Sequence, residues 1–134
     1  MASSEENEQF ARDAFDAITQ GNTEWLAAHM HPDVVFHQGG RFPTAGTYKG
    51  RDAVFGHMME FFALVDFTFK MQLIDVAASV ERAMLLVKVE LDFKGKHCEF
   101  EESHVWRIED GLSVEMYAAP LDPYAVDAFF AAAA

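Results

Sequence analysis

Glu102 and His104 are the residues whose types and spacing point most directly to chemistry. They lie two apart in the run Lys96-His97-Cys98-Glu99-Phe100-Glu101-Glu102-Ser103-His104-Val105-Trp106-Arg107-Ile108. Successive side chains of a strand point to opposite faces. Here Cys98, Phe100, Trp106 and Ile108 form an apolar face, and His97, Glu99, Glu101, Ser103 and Arg107 a polar one. Glu102 and His104 fall on the apolar face. A titratable group facing a core is costly unless it is paired or neutral. A histidine tuned by a carboxyl group in an apolar site can remove a proton next to a carbonyl. The alternative is a satisfied polar pair that only fixes the strands.

The neighbouring strands must position that pair. Residues 83–93 carry Ala83, Leu85, Val87, Val89, Leu91 and Phe93 on one face. A two-residue turn at Lys94-Gly95 pairs Val87 with Glu102 and Leu85 with His104, which puts both on the buried side. On the other flank, Leu112-Ser113-Val114-Glu115-Met116-Tyr117-Ala118 also alternates. A three-residue loop, Glu109-Asp110-Gly111, sets Ile108 against Leu112, Trp106 against Val114, His104 against Met116 and Glu102 against Ala118. A two-residue Asp-Gly turn would slip this by one and bring Glu115 and Tyr117 inside. The first register is preferred because it buries Leu112, Val114 and Met116.

With 134 residues, half of them hydrophobic and 13 of them Phe, the chain suits one domain over 1–130 with residues 131–134 as a tail. No apolar run approaches the ~18 residues of a membrane span. The start, Met1-Ala2-Ser3-Ser4-Glu5-Glu6, lacks a signal-peptide pattern. The lone Cys98 leaves no internal disulfide and reads as an inert buried thiol. The expected location is cytoplasmic. The formal charge of −12 argues against nucleic acid and anionic membrane as partners.

Ser3 and Glu6 form a capping box for a helix over 3–20, with Phe10, Ala14, Ala17 and Ile18 as its stripe and Phe15 at the flank. Gly21 stops it, and Asn22 caps a short helix over 23–29. Residues 34–38 read as a strand, 39–50 as a glycine-rich loop, and 51–65 as a third helix with Val54, Met58, Phe61, Phe62 and Val65 on one side. Strands over 67–79, 83–93, 96–108 and 112–118 follow. Asp122-Pro123 opens a short last helix over 124–130. Helices first and antiparallel strands after give an α+β domain, a curved antiparallel sheet wrapped on three helices like a cone. The open end of such a cone is a natural apolar pocket.

This order resembles the nuclear transport factor 2-like superfamily, of cystatin-like fold, and within it the SnoaL-like polyketide cyclase and ketosteroid isomerase branch. The resembling stretches are His31-Pro32-Asp33-Val34-Val35-Phe36-His37, Ala45-Gly46-Thr47-Tyr48-Lys49-Gly50-Arg51-Asp52-Ala53-Val54, His104-Val105-Trp106-Arg107-Ile108-Glu109-Asp110-Gly111 and Asp122-Pro123-Tyr124-Ala125-Val126-Asp127. The resemblance implies cofactor-free isomerase, cyclase or lyase chemistry, or a non-catalytic binding module of the same fold. The base aspartate of the isomerases falls near His37 or Gln38. Their oxyanion tyrosine falls on Phe15, which has no hydroxyl, and their protonated aspartate on His104. The aspartate of the cyclases falls on Ala118, and Glu102 would supply the carboxylate instead.

The expected catalytic set is therefore His104 as base or donor, Glu102 as its partner and His37 as the opposing acid/base, the other reading of His37 being a strand-end histidine near solvent. The expected ligand contacts are Phe15, Phe36, Gln38, Tyr48, Met58, Phe62, Trp106 and Met116. Tyr48 reads either as a phenol donor over the pocket or as a loop anchor. His29 and His31 have half the shape of a metal site, but with no third ligand they read as helix-end residues, and no metal is expected. His57 and His97 read as surface residues. The expected partners are a hydrophobic, carbonyl-bearing small molecule and a second copy of the chain in a homodimer.

Overall fold

The Ser3 side chain accepts from the Glu6 N–H, and the Glu6 carboxylate accepts from the Ser3 N–H, so the capping box is formed and α1 (Ser4–Gln20) starts where the sequence says. Gly21, at φ 67°, ends it in the left-handed region. Asn22 caps α2 (Thr23–Ala28). The computed structural model describes residues 2–133, so Met1 and Ala134 lie outside the described residues.

Six strands follow in the sheet order β2-β1-β6-β5-β4-β3. They are β1 (Met30–Gln38), β2 (Gly46–Lys49), β3 (Lys70–Ala78), β4 (Arg82–Phe93), β5 (Lys96–Glu109) and β6 (Leu112–Pro120), with α3 (Arg51–Leu64) after β2 and α4 (Pro123–Ala133) last. The fold class is the expected α+β one, with three corrections. The sheet is mixed, because β1 runs parallel to β6. Residues 46–49 of the expected loop are an edge strand antiparallel to β1. Residues 131–133 of the expected tail continue α4, and Ala133 packs on the core.

The β4 alternation holds in full: Ala83, Leu85, Val87, Val89, Leu91 and Phe93 are all buried. Lys94 and Gly95, at φ 49° and 79°, make the two-residue turn, and Val87 lies opposite Glu102 and Leu85 opposite His104.

The β5–β6 hairpin differs from both registers read from the sequence. Asp110 and Gly111, at φ 50° and 76°, make the two-residue turn, so Glu109 pairs with Leu112 and Ile108 with Ser113. A bulge at Val114 then shifts the ladder by one, and Arg107 pairs with Glu115 and Trp106 with Met116. Further along, His104 lies opposite Ala118 and Glu102 opposite Pro120. Ser113 therefore takes the inward place expected of Leu112 and Val114. Its buried hydroxyl is satisfied by donating to the His29 carbonyl at 3.2 Å. Beyond the bulge Met116 faces in, as expected, and Tyr117 faces out.

The closing element is α4, capped by Asp122, which accepts from the Ala125 N–H. Asp127 accepts from the Arg41 N–H at 2.7 Å, tying α4 to the 39–45 loop. Phe42 of that loop stacks on Phe130 with ring centroids 5.5 Å apart. These contacts seal one side of the space between sheet and helices.

Candidate active site

A cavity of about 90 Å³ lies between α3 and the inner face of the sheet. A single water takes ~10–15 Å³ by the same measure, so the space suits several waters or one ring-sized ligand. Its walls are apolar, with Phe36, Phe61, Phe100, Trp106 and Met116 among them. Four polar residues reach it: Gln38, His57, Glu102 and His104. Three unbranched methionines, Met58, Met71 and Met116, also line it and can move to admit a larger guest.

Strand alternation places the sheet-side group. β5 points Glu102, His104 and Trp106 inward in succession, and β1 points Phe36 and Gln38 inward beside them. Glu102 is 8% exposed. His104 Nε2 lies 2.9 Å from Glu102 Oε1. That distance pairs the imidazole with the carboxylate, while His104 Nδ1 is buried without a hydrogen-bond partner. The pair is therefore held close, with one ring nitrogen left over. Gln38 Nε2 donates to Glu102 Oε2 at 3.4 Å and to the Ala118 carbonyl at 3.3 Å, which steadies the carboxylate from the other side.

His57 enters the same cavity from the helix side. The sequence reading had it on the surface. It is 6% exposed, and its Nδ1 is buried without a partner. The missed signal was its place on the stripe: Val54, His57, Met58 and Phe61 recur at i, i+3, i+4 and i+7, so His57 shares the buried side of α3. Burial pulls its pKa down from the ordinary 6.5 to about 4, and the Glu102 charge opposes this more weakly. The ring is thus neutral at pH 7. Native interiors leave few polar atoms unpaired, each at a cost of about 1–3 kcal/mol. Such atoms on two histidines bring polar groups to the surface of one otherwise apolar cavity.

A pH dependence follows. Below 6.5 the unfolded chain takes up a proton at His57 that the folded chain refuses until about 4. Stability present above 6.5 is therefore lost progressively as pH falls toward 4. The difference in Tm between the wild type and His57→Leu should shift against the wild type across that window, measured by calorimetry. A constant difference from pH 7.5 to 4.5 would show that His57 titrates normally.

The other expected residues divide clearly. Phe36, Gln38, Met58, Phe62, Trp106 and Met116 line the cavity. Phe15 and Tyr48 do not. Phe15 is half-buried on α1 against the core. Tyr48 donates its hydroxyl to the Thr44 carbonyl at 2.8 Å and lies against His57 with ring centroids 4.3 Å apart at a tilt of 31°, so it anchors the loop and backs the histidine.

His37 is corrected most strongly. Its neighbours Phe36 and Gln38 face in, so strand alternation turns His37 to the outer face of the sheet. There Nε2 lies 3.0 Å from Glu115 Oε2, Nδ1 lies 3.2 Å from Thr47 Oγ1, and the ring stacks on Tyr117 at 4.5 Å. It cannot oppose His104 across the cavity.

His29 serves the end of α2 as expected. His29 stacks on Trp25 at 3.9 Å, with Nδ1 2.8 Å from the Trp25 carbonyl; His31 instead lies in β1, where its Nδ1 accepts from the Asp33 N–H, so the helix-end reading holds for His29 alone. Glu90, His97 and Glu99 bring their ligand atoms within 4.8 Å of one another on the surface. Lys88 Nζ already sits 3.4 Å from both carboxylates, so the cluster has its cation. Cys98 is half-buried, and burial pushes its thiol pKa up, away from reactivity.

Comparison with known proteins agrees with this architecture. No curated protein gives a significant match. Bal32a, from a soil-derived mobile gene cassette, superposes with a TM-score of 0.88 at 25% identity over 95% of this chain and 98% of its own. A protein of unknown function with a cystatin-like fold from Xanthomonas campestris gives 0.84 at 26% identity over 91% and 95%. A nuclear transport factor 2-like protein from Burkholderia pseudomallei gives 0.77 at 22% over 92% and 96%. The family model described as "SnoaL-like domain" matches residues 11–116, most of the chain. The cavity, the cone-like fold and this match agree, and the chain belongs to the SnoaL-like domain family.

Proposed function

We propose that the protein binds a small hydrophobic molecule carrying a carbonyl group and moves a proton on it without a cofactor, as an isomerase, aldol-type cyclase or dehydratase. The observation that carries this reading is His104. It is a largely buried imidazole, its side chain 12% exposed, with a carboxylate 2.9 Å from one nitrogen and the other nitrogen unpartnered, facing an otherwise apolar cavity. In such a site His104 takes the proton from the carbon beside the carbonyl, and Glu102 stabilises the imidazolium that results. The apolar walls strengthen both interactions by excluding water. The family includes cyclases and isomerases, which fits this chemistry. The same proposal has the protein work in the cytoplasm as a homodimer, with the acidic surface keeping it off nucleic acid and anionic membrane.

The test is a panel of cyclic and aryl ketones. A ligand of the folded state alone raises Tm, by the equivalent of about 2.7 kcal/mol at 100 times its Kd. Hydrogen exchange beside the carbonyl in deuterium oxide then reports proton transfer. A ketone that raises Tm and exchanges faster with protein than without is the expected result. A ketone that binds with no added exchange would make the protein a binding module of the same fold. No binding across the panel would remove the proposal.

A further inference from the structure

The role that sequence gave to His37 falls vacant once His37 is found on the outer face, and one unused group lies inside the cavity. We infer that His57 holds the oxygen of the ligand, donating a hydrogen bond from α3 to the carbonyl while His104 and Glu102 act on the neighbouring carbon from β5. This rests on the acid/base reading of the cavity and adds to it the residue that fixes which way the ligand lies.

Three observations support it. His57 lines the same cavity as Gln38, Glu102 and His104. Its ring lies against two aromatic neighbours that pair across β1 and β2, Phe36 at 5.0 Å and Tyr48 at 4.3 Å, so its direction is held before a ligand arrives. Tyr48 does not satisfy it, because the Tyr48 hydroxyl is spent on the Thr44 carbonyl, and Nδ1 is left buried and unpaired. Burial also keeps the ring neutral at pH 7. The titratable groups around it are Tyr48 from β2 and Glu102 and His104 from β5. A neutral imidazole offers one donor and one acceptor, and a fixed donor aimed at a developing oxyanion stabilises it without reorganising.

The step balances within the site. The C–H bond beside the carbonyl breaks, and its proton passes to a His104 ring nitrogen. The electron pair forms a C=C bond as the C=O becomes C–O⁻. The His57 N–H holds that oxygen. In a ligand with a C=C bond β,γ to the carbonyl the enolate extends over that bond, and returning the proton to the γ-carbon as the C=O reforms completes an isomerisation.

The experiment uses two probes of nearly one shape, acetophenone and α-methylstyrene, which differ by C=O against C=CH₂. Binding to the full chain is measured by titration calorimetry at pH 7. The wild type should prefer acetophenone by about tenfold, the weight of one hydrogen bond. His57→Leu should abolish the preference while still binding α-methylstyrene. His57→Asn, which restores a donor near the Nδ1 position, should recover part of it. A preference that survives His57→Leu would overturn the inference and leave the cavity reading intact. Loss of both probes in His57→Leu would give His57 a merely structural role and overturn it too. Failure of both probes to bind the wild type would remove the cavity reading and the inference with it.

Discussion

His104→Ala is expected to lower proton transfer on a bound ketone by about 10²–10⁴-fold, the usual weight of a positioned acid/base group. Ligand binding should change little, since most of the cavity wall is apolar and untouched. Stability should fall, because Glu102 is left buried with Gln38 as its remaining polar partner. The exchange rate, not the stability, therefore separates a working residue from a strand-fixing pair. A His104→Ala protein that exchanges the ketone at the full rate would make Glu102–His104 a structural pair.

Trp106→Ala is expected to cost about 3–5 kcal/mol, the range for removing a large buried aromatic. For a chain of this size that corresponds to a fall in Tm of roughly 10–20 °C. Trp106 is 2% exposed, pairs with Met116 across the hairpin and meets the His104 ring edge-on at 6.0 Å. It is therefore core and cavity wall at once. Phe67→Ala is the control: Phe67 is 67% exposed, and its truncation should stay within about 0.5 kcal/mol. Equal losses in the two variants, read from urea midpoints, would show that the indole is not part of the core.

Much of this was legible in the sequence because it depends on short-range rules. The capping box at Ser3 and Glu6, the stop at Gly21 and the Lys94-Gly95 turn are each set by a few adjacent residues, and all formed as read. The β4 alternation, joined to that turn, fixed the partners of Glu102 and His104 and so the inner face of β5. Two readings failed for lack of a weighing rule. His57 stood on the apolar stripe of α3, but its polar type outweighed its position. His37 was placed by resemblance near a strand end, although the alternation that put Phe36 and Gln38 inside already excluded it.

Local pattern thus determined the fold class, the two ends of α1, the inward face of Glu102 and His104, and the family. Tertiary structure alone decided three things. The bulge at Val114 let the hairpin take a two-residue turn and still bury Met116, because Ser113 found the His29 carbonyl across the sheet as its partner. The parallel pairing of β1 with β6 joined residues some eighty positions apart and set Gln38 beside Glu102. The packing of α3 over the sheet brought His57 into the cavity of His104. Each depends on contacts between residues distant in the chain, whose cost and gain no window of neighbouring residues contains.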